Sequence, residues 1–121
     1  MKVLVIDDEE DVRYVAQLSL GRVGGMTVLE ATSGAEGVDR ARTENPDFIL
    51  LDMMMPGMDG AATFRALRKT AETAHIPIVF LTAKAMASEV QRLKDLGAKG
   101  VVLKPFDPMT LAAEIRAILA A

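Results

Sequence analysis

Apolar positions along the chain fall into two alternating patterns. Short β-rich runs occupy Val3–Ile6, Val28–Ala31, Phe48–Leu51, Ile78–Leu81 and Val101–Leu103. Between them, apolar residues recur every third or fourth position, the period of an amphipathic helix. The first such stretch, roughly residues 9 to 23, puts Val12, Ala16, Leu20 and Val23 on one stripe and ends at Gly24-Gly25. Ser33 and Glu36 match a capping box that opens a second helix, and Asn45-Pro46 closes it, because a residue before proline disfavours the helical region. Asp59 is the expected N-cap of a third helix with Phe64, Leu67 and Ala71 inward. A fourth carries Met86, Val90 and Leu93 and stops at Gly97. Asp107-Pro108 form an N-cap and first position for a last helix burying Leu111, Ile115 and Ile118 or Leu119.

Strict alternation of five strands and five helices predicts βαβ units, which need right-handed crossovers and a parallel sheet. Strands buried on both faces lose polar alternation, as these do. The expected fold class is α/β: a doubly wound five-stranded parallel sheet in the order 2-1-3-4-5, flavodoxin-like.

The 121 residues suffice for one domain, expected over 1–121. A net charge of -3 gives no electrostatic case for nucleic acid binding by this domain. With no cysteine there is no disulfide frame, thiolate metal site or Cys nucleophile. No apolar run is long enough for a signal peptide or a membrane span, so a cytoplasmic protein without membrane contact is expected.

The predicted topology has a chemical consequence. Ligands of open α/β sheets bind beyond the carboxyl ends of the strands, at the switch point between the first and third. The sequence places Asp7 and Asp8 there after the first strand, Asp52 after the third, Thr82 after the fourth and Lys104 after the fifth. Each alone reads as a cap, a turn or a solvated charge. Together they put three carboxylates, a hydroxyl and an ammonium in one cleft. Close carboxylates raise one another's pKa, and a hard divalent cation such as Mg²⁺ relieves the repulsion. Lys104 and Thr82 suit phosphoryl oxygens. This is equipment for phosphoryl transfer, with Asp52, on the central strand, the best-placed acceptor and already ionised.

IDDE at 6 to 9, LLDMMMPGMDG at 50 to 60, LTA at 81 to 83 and KPF at 104 to 106 together resemble a response regulator receiver domain, the CheY-like phosphoacceptor of two-component systems. The resemblance covers essentially the whole chain. It implies that Asp52 accepts a phosphoryl group from a sensor histidine kinase or a histidine phosphotransfer protein. Asp8 and Asp52 would bind Mg²⁺ (with Mn²⁺ as an alternative), Asp7 would act largely through water, and the Met54 carbonyl would complete the protein ligands. Thr82 and Lys104 would contact the phosphoryl group, Ala83 would leave room for it, and a cis Lys104-Pro105 bond would aim the lysine. Such a domain is a regulator rather than an enzyme, although it assists its own phosphoryl transfer and aspartyl-phosphate hydrolysis. A downstream protein would bind the face of the fourth helix, fifth strand and fifth helix, to a monomer or a phosphorylation-dependent dimer.

One position departs from the pattern. The family often has Tyr or Phe three residues before the lysine, where this chain has Val101. The loop around Lys84 to Ala87 is expected to carry the switch instead. Met53 and Met55 are expected to pack inward, and Met54 to cover the mouth of the site and slow dephosphorylation.

Other readings fit less well. A phosphohydrolase of the haloacid dehalogenase type places its nucleophile after the first strand in a D-x-D pattern and needs a cap insertion. An FMN module needs a Ser/Thr/Gly-rich phosphate loop where this chain has acidic IDDEED. No P-loop occurs. The methionine triplet could suggest Cu(I), but Met more often fills irregular gaps. His75, in a connecting loop, reads as solvated. A degenerate receiver that binds without phosphorylation would not need the intact acidic set.

Overall fold

The computed structural model describes residues 1–83 and 86–121. Five strands, β1 (Lys2–Ile6), β2 (Thr27–Ala31), β3 (Phe48–Asp52), β4 (Ile78–Thr82) and β5 (Gly100–Leu103), form one parallel sheet in the order β2-β1-β3-β4-β5. The expected order is therefore the observed one. The helices are α1 (Glu10–Ala16, continued by a π-helical Gln17–Val23), α2 (Gly34–Glu44), α3 (Gly60–Lys69), α4 (Ala87–Leu96) and α5 (Leu111–Ala120).

Successive strand residues point to opposite faces, and this divides the core in two. Leu4, Ile6, Ile49, Leu51, Ile78 and Phe80 pack with Ala41, Phe64, Leu67 and Leu93 of α2, α3 and α4. Val3, Val5, Phe48, Leu50, Val79 and Leu81 pack with Ala16, Leu20, Leu111, Ala112 and Ile115 of α1 and α5. All five residues of β3 and all five of β4 are buried, so their continuous apolar runs have apolar cover on both sides.

Local punctuation sets the helix limits. The Ser33 hydroxyl accepts from Glu36 N–H at 3.2 Å, and the Glu36 carboxylate accepts from Thr32 N–H at 2.6 Å. The return bond thus reaches one residue further out than a standard capping box. Asn45 ends α2 in the left-handed region at φ 48°, which Asn tolerates better than most side chains. Asp59 caps α3 by accepting from Ala62 N–H at 2.8 Å. Gly97 closes α4 as expected.

Four expectations need correction. Beyond Ala16 the first helix widens, with Gly24 N–H donating to Ser19 O, five residues back, at 2.9 Å. A stripe drawn at 3.6 residues per turn then fails, and Val23 is half exposed while Ser19 is buried. The Ser19 hydroxyl donates to the carbonyl of Pro108. Ala71 lies past the end of α3 and is exposed, because the helix gives way to turns after Lys69. Met86 is the N-cap of α4 and exposed rather than inward. Residues 108–110 form a turn before α5, although Leu111 N–H still donates to Asp107 O at 3.0 Å and Met109 N–H to the Asp107 carboxylate at 2.9 Å. Asp107 therefore caps that turn, and Thr110 is the N-cap of the regular helix.

Candidate functional site

The carboxyl ends of β1, β3, β4 and β5 bring Asp7, Asp52, Thr82 and Lys104 to one edge of the sheet. Asp7 is the first residue past β1, and its N–H still donates across the sheet to Ala31 O at 3.1 Å. Asp52 is the last residue of β3. Asp7, Asp52 and Thr82 are buried, whereas Asp8 is exposed. One carboxylate oxygen from each of Asp7, Asp8 and Asp52 lies within 4.8 Å of the others.

Lys104 reaches into this group from beyond β5. Its Nζ lies 2.9 Å from Asp7 Oδ2, 3.1 Å from Asp52 Oδ1 and 3.2 Å from Glu9 Oε1. The Lys104-Pro105 bond is cis, and Lys104 N–H donates to Thr82 O at 2.9 Å. Asp52 Oδ1 also accepts weakly from Met54 N–H at 3.3 Å. Glu9 N–H donates to Asp7 Oδ1 at 2.9 Å. Asp7 Oδ2 is buried with only the Lys104 ammonium beside it, and Asp52 Oδ2 is buried with no hydrogen-bond partner among the described residues.

These contacts set the electrostatics. Burial, and then the neighbouring Asp7 charge, push Asp52 up to about 6, against the opposing pull of Lys104. Burial by itself would lower Lys104, but its contacts with Asp7 and then Asp52 outweigh that and hold it firmly protonated. Lys104, the one ammonium here among the described residues, does not satisfy this many carboxylates. Buried carboxylate oxygens without hydrogen bonds are costly, and a hard divalent cation with oxygen ligands would fill that need. The residues fit such an ion: Asp7, Asp8 and Asp52 each offer a carboxylate oxygen to one point.

The loop after β3 keeps the site close to the sheet. Gly57 turns it at φ 72°. At Gly60 a Cβ would lie 2.5 Å from Asp52 O, so only glycine lets the start of α3 approach the end of β3. Met55 is buried and Met53 half-buried against the core, as expected, while Met54 is 72% exposed. Ala83 is exposed. With Lys104, Pro105, Phe106, Pro108, Val12 and Val15 it borders a cleft of about 520 Å³ beside α1. Val101 is half-buried on the α4 side of β5 and lines a groove of about 470 Å³ with Val90, Leu103 and Phe106. Of the expected switch loop, Lys84 and Ala85 lie outside the described residues.

Two participants had no role assigned from the sequence. Glu9 holds Lys104, and Arg13 donates to Asp7 O. Glu9 sat inside the IDDE motif, but an acidic run after a strand reads as a solvated turn. Arg13, beside the apolar Val12, reads as the polar flank of a helix.

Set against known proteins, residues 3–116 match the family described as the response regulator receiver domain. The chain is 38% identical to Protein PilH of Pseudomonas aeruginosa over 98% of each. It is 39% identical to the alkaline phosphatase synthesis transcriptional regulatory protein PhoP of Bacillus subtilis, over 98% of this chain and 48% of PhoP. It spans about half the length of the transcriptional regulators it matches. Among solved structures, the chemotaxis protein CheY4 of Vibrio cholerae superposes with a TM-score of 0.88 at 32% identity, over 97% of both chains. Likeness of this breadth, in sequence and in backbone alike, means that the chain belongs to the response regulator receiver domains of two-component systems.

Proposed function

We propose that Asp52 is a phosphoacceptor that takes its phosphoryl group from a phosphohistidine of a sensor kinase or a histidine phosphotransfer protein. The observation that carries this reading is the buried Asp52 carboxylate, with one oxygen 3.1 Å from Lys104 and the other without a hydrogen-bond partner among the described residues. In the transfer, an Asp52 oxygen attacks phosphorus while the P–N bond breaks, and the electron pair leaves with the imidazole, which takes up a proton. Asp8 and Asp52, with the Met54 carbonyl, would hold Mg²⁺ or Mn²⁺, and Asp7 would act largely through water. Such an ion neutralises carboxylate and phosphoryl oxygens when bound.

Lys104 leaves Asp7 and Asp52 to pair with a phosphoryl oxygen, and Thr82 donates to another. The small Ala83 leaves the approach open. The chain's own contribution is positioning and charge, so it is a regulator that assists its own phosphorylation and hydrolysis rather than an enzyme with a separate substrate. The half-buried Val101, where relatives often carry an aromatic ring, leaves the signal to the loop before α4. A downstream protein would then read the face of α4, β5 and α5, on a monomer or a phosphorylation-dependent dimer. No described helix is long and apolar enough to cross a membrane, and we place the protein in the cytoplasm, without nucleic acid or membrane binding by this domain.

The test is labelling by acetyl phosphate with Mg²⁺, read by intact mass. The wild-type chain should gain one phosphoryl group, and Asp52→Asn should gain none. Persistent labelling of Asp52→Asn would move the acceptor elsewhere, and labelling unaffected by EDTA would remove the cation.

A further inference from the structure

Asp7 is held at nearly every polar atom. Its N–H donates to Ala31 O at 3.1 Å, and its Oδ1 accepts from Glu9 N–H at 2.9 Å. Its carbonyl accepts from Arg13 Nη1 at 2.8 Å. Its Oδ2 is buried and pairs with the Lys104 ammonium at 2.9 Å. Arg13 is itself fixed. Its side chain is 13% exposed, and its Nε donates to Glu30 Oε1 on β2 at 3.1 Å. The Glu30 carbonyl is taken by Arg40 of α2 at 2.7 Å. One planar guanidinium therefore ties the first turns of α1, the edge strand β2 and the peptide that carries the buried acid of the site.

We propose that Arg13 is a positioning residue for the cation site, aiming the Asp7 carboxylate by clamping its carbonyl. The inference rests on the cation reading given above. The contacts of a carboxylate set its rotation, but where they can be made depends on how firmly its backbone is held. Asp7 lies past the last residue of β1, where the ladder with β3 no longer holds its carbonyl. Arg13 supplies that bond from the side. A guanidinium presents several donors in a rigid fork and can hold Asp7 O and Glu30 at once, which an ammonium on a flexible stem does not. Groups one bond removed from a metal ligand set its orientation and commonly change metal affinity when lost.

The test is Mg²⁺ binding to the unphosphorylated full chain, by calorimetry at fixed pH, with thermal melting alongside. Arg13→Met keeps length and apolar stem but removes every donor. It should weaken Mg²⁺ binding by about tenfold. Arg13→Lys restores one donor and should fall between the two, within about threefold of wild type. A purely structural role would lower the melting temperature of Arg13→Met and leave its Mg²⁺ affinity within about twofold of wild type; that result overturns the proposal. Should Arg13→Met fail to fold, Arg13→Lys decides: an affinity weakened about two- to threefold supports the clamp, and an unchanged affinity overturns it. If wild type itself binds no Mg²⁺, the underlying cation reading fails and takes the clamp with it. If wild type binds and Arg13→Met binds equally, only the clamp fails.

Discussion

The two ends of the sheet treat charge in opposite ways. At the amino end, Lys2 Nζ donates to Glu44 O at 2.9 Å and lies 4.0 Å from Glu44 Oε1, with both side chains more than a third exposed. Lys2 N–H donates to the Asp47 carboxylate at 2.6 Å, and Lys99 Nζ to Ala121 O at 2.6 Å. These charges stay in water and close the ends of elements. At the carboxyl end, Asp7 and Asp52 are buried around a Lys104 side chain that is only 15% exposed, and Asp52 Oδ2 has no hydrogen-bond partner among the described residues. The first end is built for stability. The second carries charge that costs stability and is kept ready for a ligand.

Removing Lys104, among the described residues the one cation that reaches the buried pair, should have the largest effect on folding. Lys104→Met leaves Asp7 and Asp52 facing each other, and should cost about 2–4 kcal/mol at pH 7 in EDTA. The deficit should shrink toward pH 5, as Asp52 takes up a proton and the repulsion goes. Urea melts at both pH values check this. A variant as stable as wild type at pH 7 would mean that the lysine is not what makes the buried carboxylates tolerable.

Asp52→Asn should act in the opposite direction. Folded Asp52 is raised to about 6, above its unfolded value. Its contribution to stability is therefore full below about pH 4 and lost as pH rises through about 6. At pH 7 the ionised carboxylate is a burden, and Asp52→Asn should be more stable than wild type by about 1–3 kcal/mol without metal. The gain should vanish near pH 4, and added Mg²⁺ should narrow it by stabilising wild type alone. A parallel pair of stability–pH curves would place the burden on some other group.

The contrast between the two ends was partly legible in the sequence. The strand ends were readable because Ile6, Leu51 and Leu81 give way abruptly to Asp7, Asp52 and Thr82, and parallel topology sends all of those ends to one side. Ser33, Asn45, Asp59 and Gly97 marked helix limits through local chemistry that needs no tertiary partner. Tertiary packing decided the rest. The π-helical half of α1 is not visible in a 3.6-residue period. It goes with the Ser19 bond to Pro108 and with Gly24, where a Cβ would lie 2.8 Å from Ala112 Cβ on α5. Glu9 meets Lys104 across ninety-five residues of chain, and no local pattern signals such a pair.

Met54 tests the ligand-ready end more gently. It is 72% exposed two residues after Asp52, so any cover it gives the site is loose. A thioether orients a hydrolytic water poorly, whereas an amide there would donate and accept. Met54→Asn should speed loss of the phosphoryl group about threefold, under about 1 kcal/mol of barrier, with no change in melting. Phosphate release after removal of the donor measures it. A rate unchanged or slower than wild type would count against a role for this side chain.

The smallest effect belongs to the other end. Lys2→Met removes the contacts with Glu44 but leaves the Lys2 N–H bond to Asp47, which is made by the backbone. An exposed ion pair of this kind contributes about 0.5 kcal/mol, aided slightly because Glu44 O ends α2 and attracts a cation. The loss should halve or disappear in about 1 M salt, where the Debye length falls to about 3 Å. Phosphoryl labelling and Mg²⁺ affinity should not move, since the whole length of β1 separates Lys2 from Asp7. If Lys2→Met instead cost as much as Lys104→Met, the amino end would hold buried charge energy of its own. The division between an end that closes the fold and an end that waits for a ligand would then be wrong.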